Sequence, residues 1–268
     1  MKKSEKHIFI NGKIFTSDDG CPYADTMVVE GERIIWIGTE SDMPKEYAEI
    51  ISGRPYAQDG VSSVTDLKGR RVIPGFVDAH MHPVMLADFR KKITAMPPEI
   101  NSIEDLVEAV RERRGQQAAG EWIEGWGYDE QGFLEKRSPT RYDLDRGCSD
   151  SPVSIMRTCA HIRCVNSMAL KLAGGEIERD ENGEPTGVLK ENARNLIAPL
   201  LPQESVEQHV DNLLELGGVL TSQGITTICD MGNLDESDNI PVYEAAVKRG
   251  FHQRVGVYYM WDFFADNK

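Results

Sequence analysis

The opening part of the chain alternates short apolar runs with polar turn residues, a pattern typical of β-strands. Apolar residues flank Asn11 and Gly12, a dipeptide typical of tight hairpin turns, and a second hairpin is predicted where residues 27–29 and 34–37 surround a polar turn. Residues 64–73 have a strand, turn, strand pattern. We therefore predict a small β domain at the start of the chain.

From about residue 73 the apolar spacing alternates between helical and strand patterns, which favours an α/β fold with a largely parallel sheet. Ser102 is a predicted helix cap, because apolar side chains follow it at helical spacing and Asp105 lies three residues later. A further helix is predicted over residues 206–217, ended by Gly224, and another near 241–249. Strands are predicted at residues 152–156, 187–189, 225–229 and 254–259.

Composition narrows the class of protein. The chain has 268 residues and a formal net charge of −14, which argues against nucleic-acid binding because that function needs a basic face. No apolar run has the length of a membrane span, and the first residues lack the apolar core of a signal peptide. The five cysteines form no CxxC pair, which favours reduced thiols in a cytoplasmic protein.

Two histidines stand directly after an apolar, strand-like run in the sequence GFVDAHMHP, residues 75–83. Side chains alternate between the two faces of a strand, so His80 and His82 are predicted to point the same way. Two imidazoles that converge from one strand end can share a divalent cation, and such a site suits a metal-activated water.

Several ordered sequence blocks accompany the histidine pair and together are more specific than the pair alone. They are DLKGR at 66–70, PGFVDAHMH at 74–82, WIEGWGYDE at 122–130, RTCAH at 157–161, VNSMAL at 165–170 and DENGEPTGVLKENA at 180–193. Through these blocks the chain resembles the amino-terminal half of a metal-dependent amidohydrolase of the YtcJ-like, amidohydrolase-3 type.

The resemblance implies a TIM-type (β/α)8 barrel beside a small β domain, with the site at the carboxyl ends of the barrel strands. We accordingly expect a β-sandwich-like domain over residues 1–72. Residues 73–268 would then form an incomplete barrel, with about five candidate strands and an insertion near 85–151. The family's two later histidines and its catalytic aspartate have no counterpart in this chain.

The resemblance also implies the metal ligands. It places His80 and His82 as the first two, and it favours Glu191 as the third because the family tends to hold a carboxylate there. Lys190 is the alternative ligand, after carboxylation, and adjacent strand residues face opposite ways, so only one of the two can point at the site. Asp78 either fixes an imidazole tautomer through a hydrogen bond or caps the strand end.

Three further residues are implied to contact substrate: His161, Tyr128 and Asp129. His161 precedes the Asn-Ser block and would polarise or orient a substrate carbonyl, or else bond to a helix start. Tyr128 and Asp129 stand where many relatives carry Trp-Asp. Asp230 either faces the barrel mouth or caps a loop.

The function implied by the resemblance is metal-dependent hydrolysis of a non-peptide carbon-nitrogen bond, such as an amide or an N-substituted formamide, by a metal-activated water. The cofactor would be one or two divalent ions, with zinc as the preferred candidate. The expected partner is a small-molecule substrate, and neither nucleic acid nor a membrane is expected. A homo-oligomer, or a complementing chain that completes the barrel, stays open as a further partner. The alternative is a truncated, catalytically inactive amidohydrolase-like module for binding or assembly.

Overall fold

A computed structural model describes residues 5–51, 61–173, 178–232 and 238–259. The chain divides into two compact units, residues 1–76 and 77–268.

The first unit is built mainly from short strands. Its elements are β1 Lys6–Ile10, β2 Lys13–Phe15, β3 Tyr23–Ala24, β4 Thr26–Glu30, β5 Arg33–Gly38, a 3-10 turn Glu40–Asp42, α1 Lys45–Ile51, β6 Val61–Asp66 and β7 Arg71–Val72. They form a four-stranded sheet in the order β5-β4-β1-β6 and a three-stranded sheet in the order β3-β2-β7. Ile8 and Val28 from the larger sheet pack with Tyr47 and Ile50 of α1, and this cluster is the core of the unit.

One of the two predicted hairpins is confirmed and the other is wrong. β4 and β5 pair antiparallel around the turn at Gly31, as predicted. The turn at Asn11 does form, with a φ of 55°, but β1 pairs with β4 and β6 whereas β2 pairs with β3 and β7. The chain is therefore redirected from one sheet to the other.

The predicted strand, turn, strand at residues 64–73 also passes from the larger sheet to the smaller one, next to the β1–β2 segment. β6 runs parallel to β1, and β7 runs parallel to β2. The backbone N–H of Leu67 donates to Ile10 O at 2.8 Å, and that of Gly69 donates to Asn11 O at 2.7 Å. These bonds satisfy backbone groups that a hairpin would have paired locally.

The second unit alternates helices and strands. Its elements are β8 Phe76–Met81, α2 Pro83–Phe89, β9 Ile93–Thr94, α3 Ile103–Gly115, β10 Ile123–Tyr128, α4 Arg141–Gly147, β11 Val153–Arg157, β12 Ile162–Val165, α5 Ser167–Ala173, β13 Val188–Lys190, 3-10 turns Glu191–Leu196 and Ala198–Leu200, α6 Val206–Ser222, β14 Ile225–Asp230, α7 Ile240–Lys248 and β15 Arg254–Val257.

Three of these strands form one sheet, in the order β15-β14-β8. α6 covers it with buried residues at helical spacing, among them Val210, Leu213 and Leu220. Ser205 and Gln208 form a capping box at the start of α6, and Gly224 follows its end with a φ of +78°. The predicted helix, stop and strand are confirmed here.

The other strands form a five-stranded sheet in the order β13-β12-β11-β10-β9. β9, β10 and β11 are parallel, but β12 and β13 are antiparallel to their neighbours, so the expected largely parallel sheet is only partly present. Ser102 caps α3 by accepting the backbone N–H of Asp105 at 3.0 Å, as the sequence predicts.

The α/β class is confirmed, and the sheets of the described residues are open. The predicted strands near 152–156 and 187–189 belong to the five-stranded sheet, whereas those at 225–229 and 254–259 share a sheet with β8. The described residues thus contain no closed barrel, and the barrel remains an inference from the resemblance. No helix among them is long and apolar enough to cross a membrane.

Candidate functional site

The two histidines lie together at the end of β8. Strand alternation sends both side chains to one face, and their ring centroids are 5.6 Å apart with the planes 85° to each other. This edge-to-face arrangement leaves the nitrogen atoms of the two rings in one neighbourhood.

The orientation of His82 is fixed by a backbone carbonyl. Its Nδ1 lies 2.7 Å from Gly232 O, and because a carbonyl only accepts hydrogen bonds, Nδ1 carries the proton. The lone pair then sits on Nε2, the nitrogen that can bind a metal. His82 also forms the N-cap of α2, with Pro83 as the first helical residue, so the imidazole is tied to the start of that helix.

Asp230 supports the loop that holds His82. Its carboxylate is fully buried and accepts the backbone N–H of Gly232 at 2.9 Å, the Asn239 amide at 3.0 Å and the Tyr243 hydroxyl at 2.7 Å. Burial, and then the bond to Asp230, raise the pKa of Tyr243, so its hydroxyl stays protonated and donates. Of the two roles considered for Asp230, the structure supports loop capping.

Asp78 accepts the backbone N–H of His80 at 3.1 Å. This bond resembles the strand-end capping considered for Asp78, since the group that it binds is the backbone of His80 and not the imidazole. The side chain is partly buried on the strand.

His161 and Glu191 form a second pair, at the end of the five-stranded sheet. His161 Nδ1 lies 3.4 Å from Glu191 Oε2, and the two side chains are 60% and 75% exposed. Lys190 points elsewhere and binds Glu178 at 2.5 Å. Within the part of the chain that the structure describes, no three His, Cys, Asp or Glu side chains are grouped to hold a metal, so Glu191 does not join His80 and His82 there.

Tyr128 and Asp129 have different surroundings although they are adjacent. Tyr128 is fully buried in the core with Phe133, and this burial raises the pKa of its phenol. Asp129 is about half exposed, with 45% of its side chain accessible, and lies 3.4 Å from Arg157. That Tyr128 and Asp129 contact substrate stays a prediction, and the burial of Tyr128 favours packing.

Two arginines near these residues have no role assigned from the sequence. Arg157 binds both carboxylate oxygens of Glu130, at 2.7 and 2.9 Å. Arg163 lies on β12, which begins one residue after His161, and it donates to Ser154 Oγ at 3.0 Å. The available signal was the position of Arg163 in the sequence, two residues after the predicted site residue His161.

A surface cavity of about 490 Å³ lies elsewhere in this unit, against β9 and α3. Its lining includes Lys92, Glu99, Glu108 and Arg113, and it contains none of the predicted site residues.

Comparison with known proteins decides the family. A sequence model of the amidohydrolase family matches residues 63–265. The chain belongs to the amidohydrolase family. Its relatives include N-substituted formamide deformylase from Arthrobacter pascens, 31% identical over 81% of this chain and 40% of that protein. YtcJ from Bacillus subtilis (strain 168) is 31% identical over 78% of this chain and 39% of that protein.

A solved structure supports the fold of this amidohydrolase family member. The crystal structure of an uncharacterized metal-dependent hydrolase from Pyrococcus horikoshii OT3 matches with a TM-score of 0.67 at 24% identity, over 94% of this chain and 48% of that one. The chain thus spans about two fifths of the length of the curated relatives named above. The predicted YtcJ-like, amidohydrolase-3 resemblance is confirmed.

Proposed function

We propose that this chain takes part in metal-dependent hydrolysis of a non-peptide carbon-nitrogen bond, such as that of an amide or an N-substituted formamide. The observation that carries the proposal is the His80 and His82 pair, with the proton of His82 held on Nδ1 by Gly232. Family membership supports the reaction class, and the name of the formamide deformylase relative motivates the choice of bond.

The donor set fits a divalent ion in part. Zinc accepts imidazole nitrogens, and a catalytic zinc takes three protein ligands and one water. His80 and His82 would supply two of these ligands. Glu191 stays a predicted third ligand, whose side chain lies beside His161 in this structure. A bound ion would supply a water of lowered pKa and would polarise the carbonyl oxygen of the substrate.

The chain's own residues would orient the metal-binding imidazole and the substrate carbonyl. Gly232 keeps the Nδ1 proton of His82, and Asp230 anchors Gly232 through its backbone N–H, so Nε2 stays free for coordination. His161 is exposed and paired with Glu191, which allows it to orient a substrate carbonyl by donating a hydrogen bond.

Metal content and turnover of the purified full chain test the proposal. We expect bound zinc, and release of formate from an N-alkylformamide. The variant His82→Asn should lose both, whereas the exposed His252→Asn, a matched control, should keep both. A metal-free chain without turnover would overturn the proposal.

One observation favours the second candidate, an inactive binding or assembly module. Among the described residues no third metal-binding side chain joins His80 and His82. Two imidazoles alone bind zinc weakly compared with a complete site. Under this alternative the chain would take up zinc with low affinity and release no formate, and His82→Asn would abolish only the metal binding.

A further inference from the structure

A row of side chains crosses the five-stranded sheet on one face. Paired positions of neighbouring strands point the same way, and the pairs Trp126 with Met156, Met156 with Arg163, and Arg163 with Leu189 place these four residues side by side. We call this surface the Arg163 face. The only ionisable member of the row is Arg163, and its neighbours are apolar.

The ends of the row are covered by protein. Trp126 donates from Nε1 to Phe89 O at 3.1 Å, and its ring packs at a tilt of 32° against the Phe89 ring, with centroids 4.9 Å apart. Leu189 is fully buried in a cluster with Ile197. Arg163 thus lies between two packed regions, where water screens its charge less than at an open surface.

The carboxylates of the Arg163 face are already paired. Glu124 binds Lys92 at 2.9 Å, with only 12% and 19% of the two side chains exposed, and Glu191 lies beside His161. Arg163 has the Ser154 hydroxyl as its hydrogen-bond partner. Arg194, whose charge is felt by Arg163, donates to the carbonyl of Ala160. Within the described ranges, neither guanidinium group forms an ion pair with a carboxylate.

A partly buried guanidinium group without a carboxylate partner lowers the stability of the fold unless a ligand supplies the negative charge. A partly buried charge without a counter-ion destabilises the folded state, and a guanidinium group presents a planar fork of donors that matches a carboxylate. Burial lowers the pKa of Arg163, Glu124 opposes this effect and Arg194 adds to it. Two cations that face neutral oxygens, in a chain with a net charge of −14, indicate a place for an anion.

We propose that Arg163, assisted by Arg194, binds the carboxylate group of a small-molecule ligand on this face. His161, which is predicted to contact substrate, stands two positions before Arg163, directly ahead of β12. This assignment rests on the proposed function. The substrates would then be N-acyl or N-formyl compounds that carry a carboxylate.

Binding of a matched pair of probes to the full chain tests this assignment without any need for turnover. N-acetylglycine carries the carboxylate, and N-acetylglycinamide is its neutral analogue of the same shape. By calorimetry we expect N-acetylglycine to bind at least about tenfold more tightly, because hydrogen bonds to a charged group contribute more than neutral ones.

Substitutions assign the preference to Arg163. Arg163→Met should abolish the discrimination between the probes and leave the melting temperature equal or higher, since an ion without a counter-ion is removed. Arg194→Gln should reduce the discrimination and serves as a second test should Arg163→Met fold poorly. The matched control Arg249→Gln, which removes an exposed partner of Asp211, should keep the wild-type preference.

Equal affinities for the two probes would overturn the inference, as would discrimination that persists in Arg163→Met. Both results would leave the hydrolase proposal standing, because they do not concern metal or turnover. The converse result would be a chain without hydrolytic activity that still prefers N-acetylglycine and loses this preference in Arg163→Met. That result would overturn the hydrolase proposal and support the carboxylate site.

Discussion

At the scale of single residues, the position of His82 depends on groups distant in sequence. Tyr243 and Asn239 donate to the buried Asp230, Asp230 accepts from Gly232, and the carbonyl of Gly232 accepts from His82. Gly232 has a φ of +75°, and a Cβ there would lie 2.8 Å from Tyr258 O, so other residues fit poorly.

The first prediction concerns Asp230→Asn. This change removes the charge and places an amide N–H₂ where donors now converge, so the free energy of unfolding should fall by about 2 to 3 kcal/mol. Tyr243→Phe removes one of the three bonds and should cost about half as much. Urea denaturation measures both. The exposed Asp238→Asn, as control, should stay within about 0.5 kcal/mol of wild type, and an equal loss there would contradict the buried network.

The sequence predicts part of this site and not the rest. His80 and His82 are close in sequence, so strand alternation alone predicts that they share a face. Tyr243 reaches Asp230 only through the packing of α7 on β14, which no local pattern encodes. His161 and Glu191 come together through the pairing of β12 with β13, and their separation from His80 and His82 also depends on long-range packing.

At the scale of elements, helix ends were predictable because capping is local. Ser102 and Ser205 start α3 and α6 through bonds that span three residues. The Asn11 turn formed, but which strands pair after it depends on residues more than fifty positions away. The hairpin prediction failed for this reason.

The start of α4 provides the second prediction, on acid stability. Asp143 accepts the backbone N–H and hydroxyl of Thr140, both at 2.8 Å, and both Nη atoms of Arg137. Burial would raise the pKa of Asp143, but the bonds from Arg137 and Thr140 outweigh it and hold the pKa below its ordinary value of 3.8.

Because the pKa of Asp143 is lower in the folded than in the unfolded chain, its carboxylate stabilises the folded state fully well above pH 3.8. This stabilisation is lost as the pH falls through the pKa of Asp143 in the folded state. Asp143→Asn should lower the free energy of unfolding by about 1 kcal/mol at pH 7 and flatten the decline below about pH 4. Thermal melts between pH 2 and 7 measure this. The exposed Asp19→Asn should reproduce the wild-type curve, and an unchanged acid decline in Asp143→Asn would refute the assignment.

At the scale of the whole molecule, the α/β class was predictable from the change of hydrophobic period near residue 73. The division of the strands between two sheets was not, because a buried strand such as Val153–Arg157 has the same apolar run in either sheet. The match to the fold of a metal-dependent hydrolase supports the α/β class, while the closed barrel that the resemblance implied stays a prediction.

The third prediction is a metal-dependent melting temperature. A ligand that binds only the folded state stabilises it, by about 2.7 kcal/mol at a hundred times its Kd. Zinc should therefore raise the melting temperature of the full chain, and a chelator should reverse the rise. His82→Asn should remove the effect. Magnesium, which prefers oxygen ligands, is the control for general attraction to an acidic chain, and an equal shift with magnesium would contradict an imidazole site.

In two adjacent segments, β1 to β2 and β6 to β7, the chain passes from the four-stranded sheet to the three-stranded sheet. This pairing determines the order in which the strands can assemble during synthesis. His7 and Thr65, which bond at 2.9 Å between β1 and β6, are 58 positions apart. At roughly 5 to 20 residues per second, the ribosome needs about 3 to 12 s to deliver the partner of the first strand. The hairpin of β4 and β5 is synthesised before β6 and pairs with β1 in the folded sheet, so these three strands can assemble before β6 joins the other edge of β1. The amino-terminal unit therefore closes only when its last strands leave the ribosome.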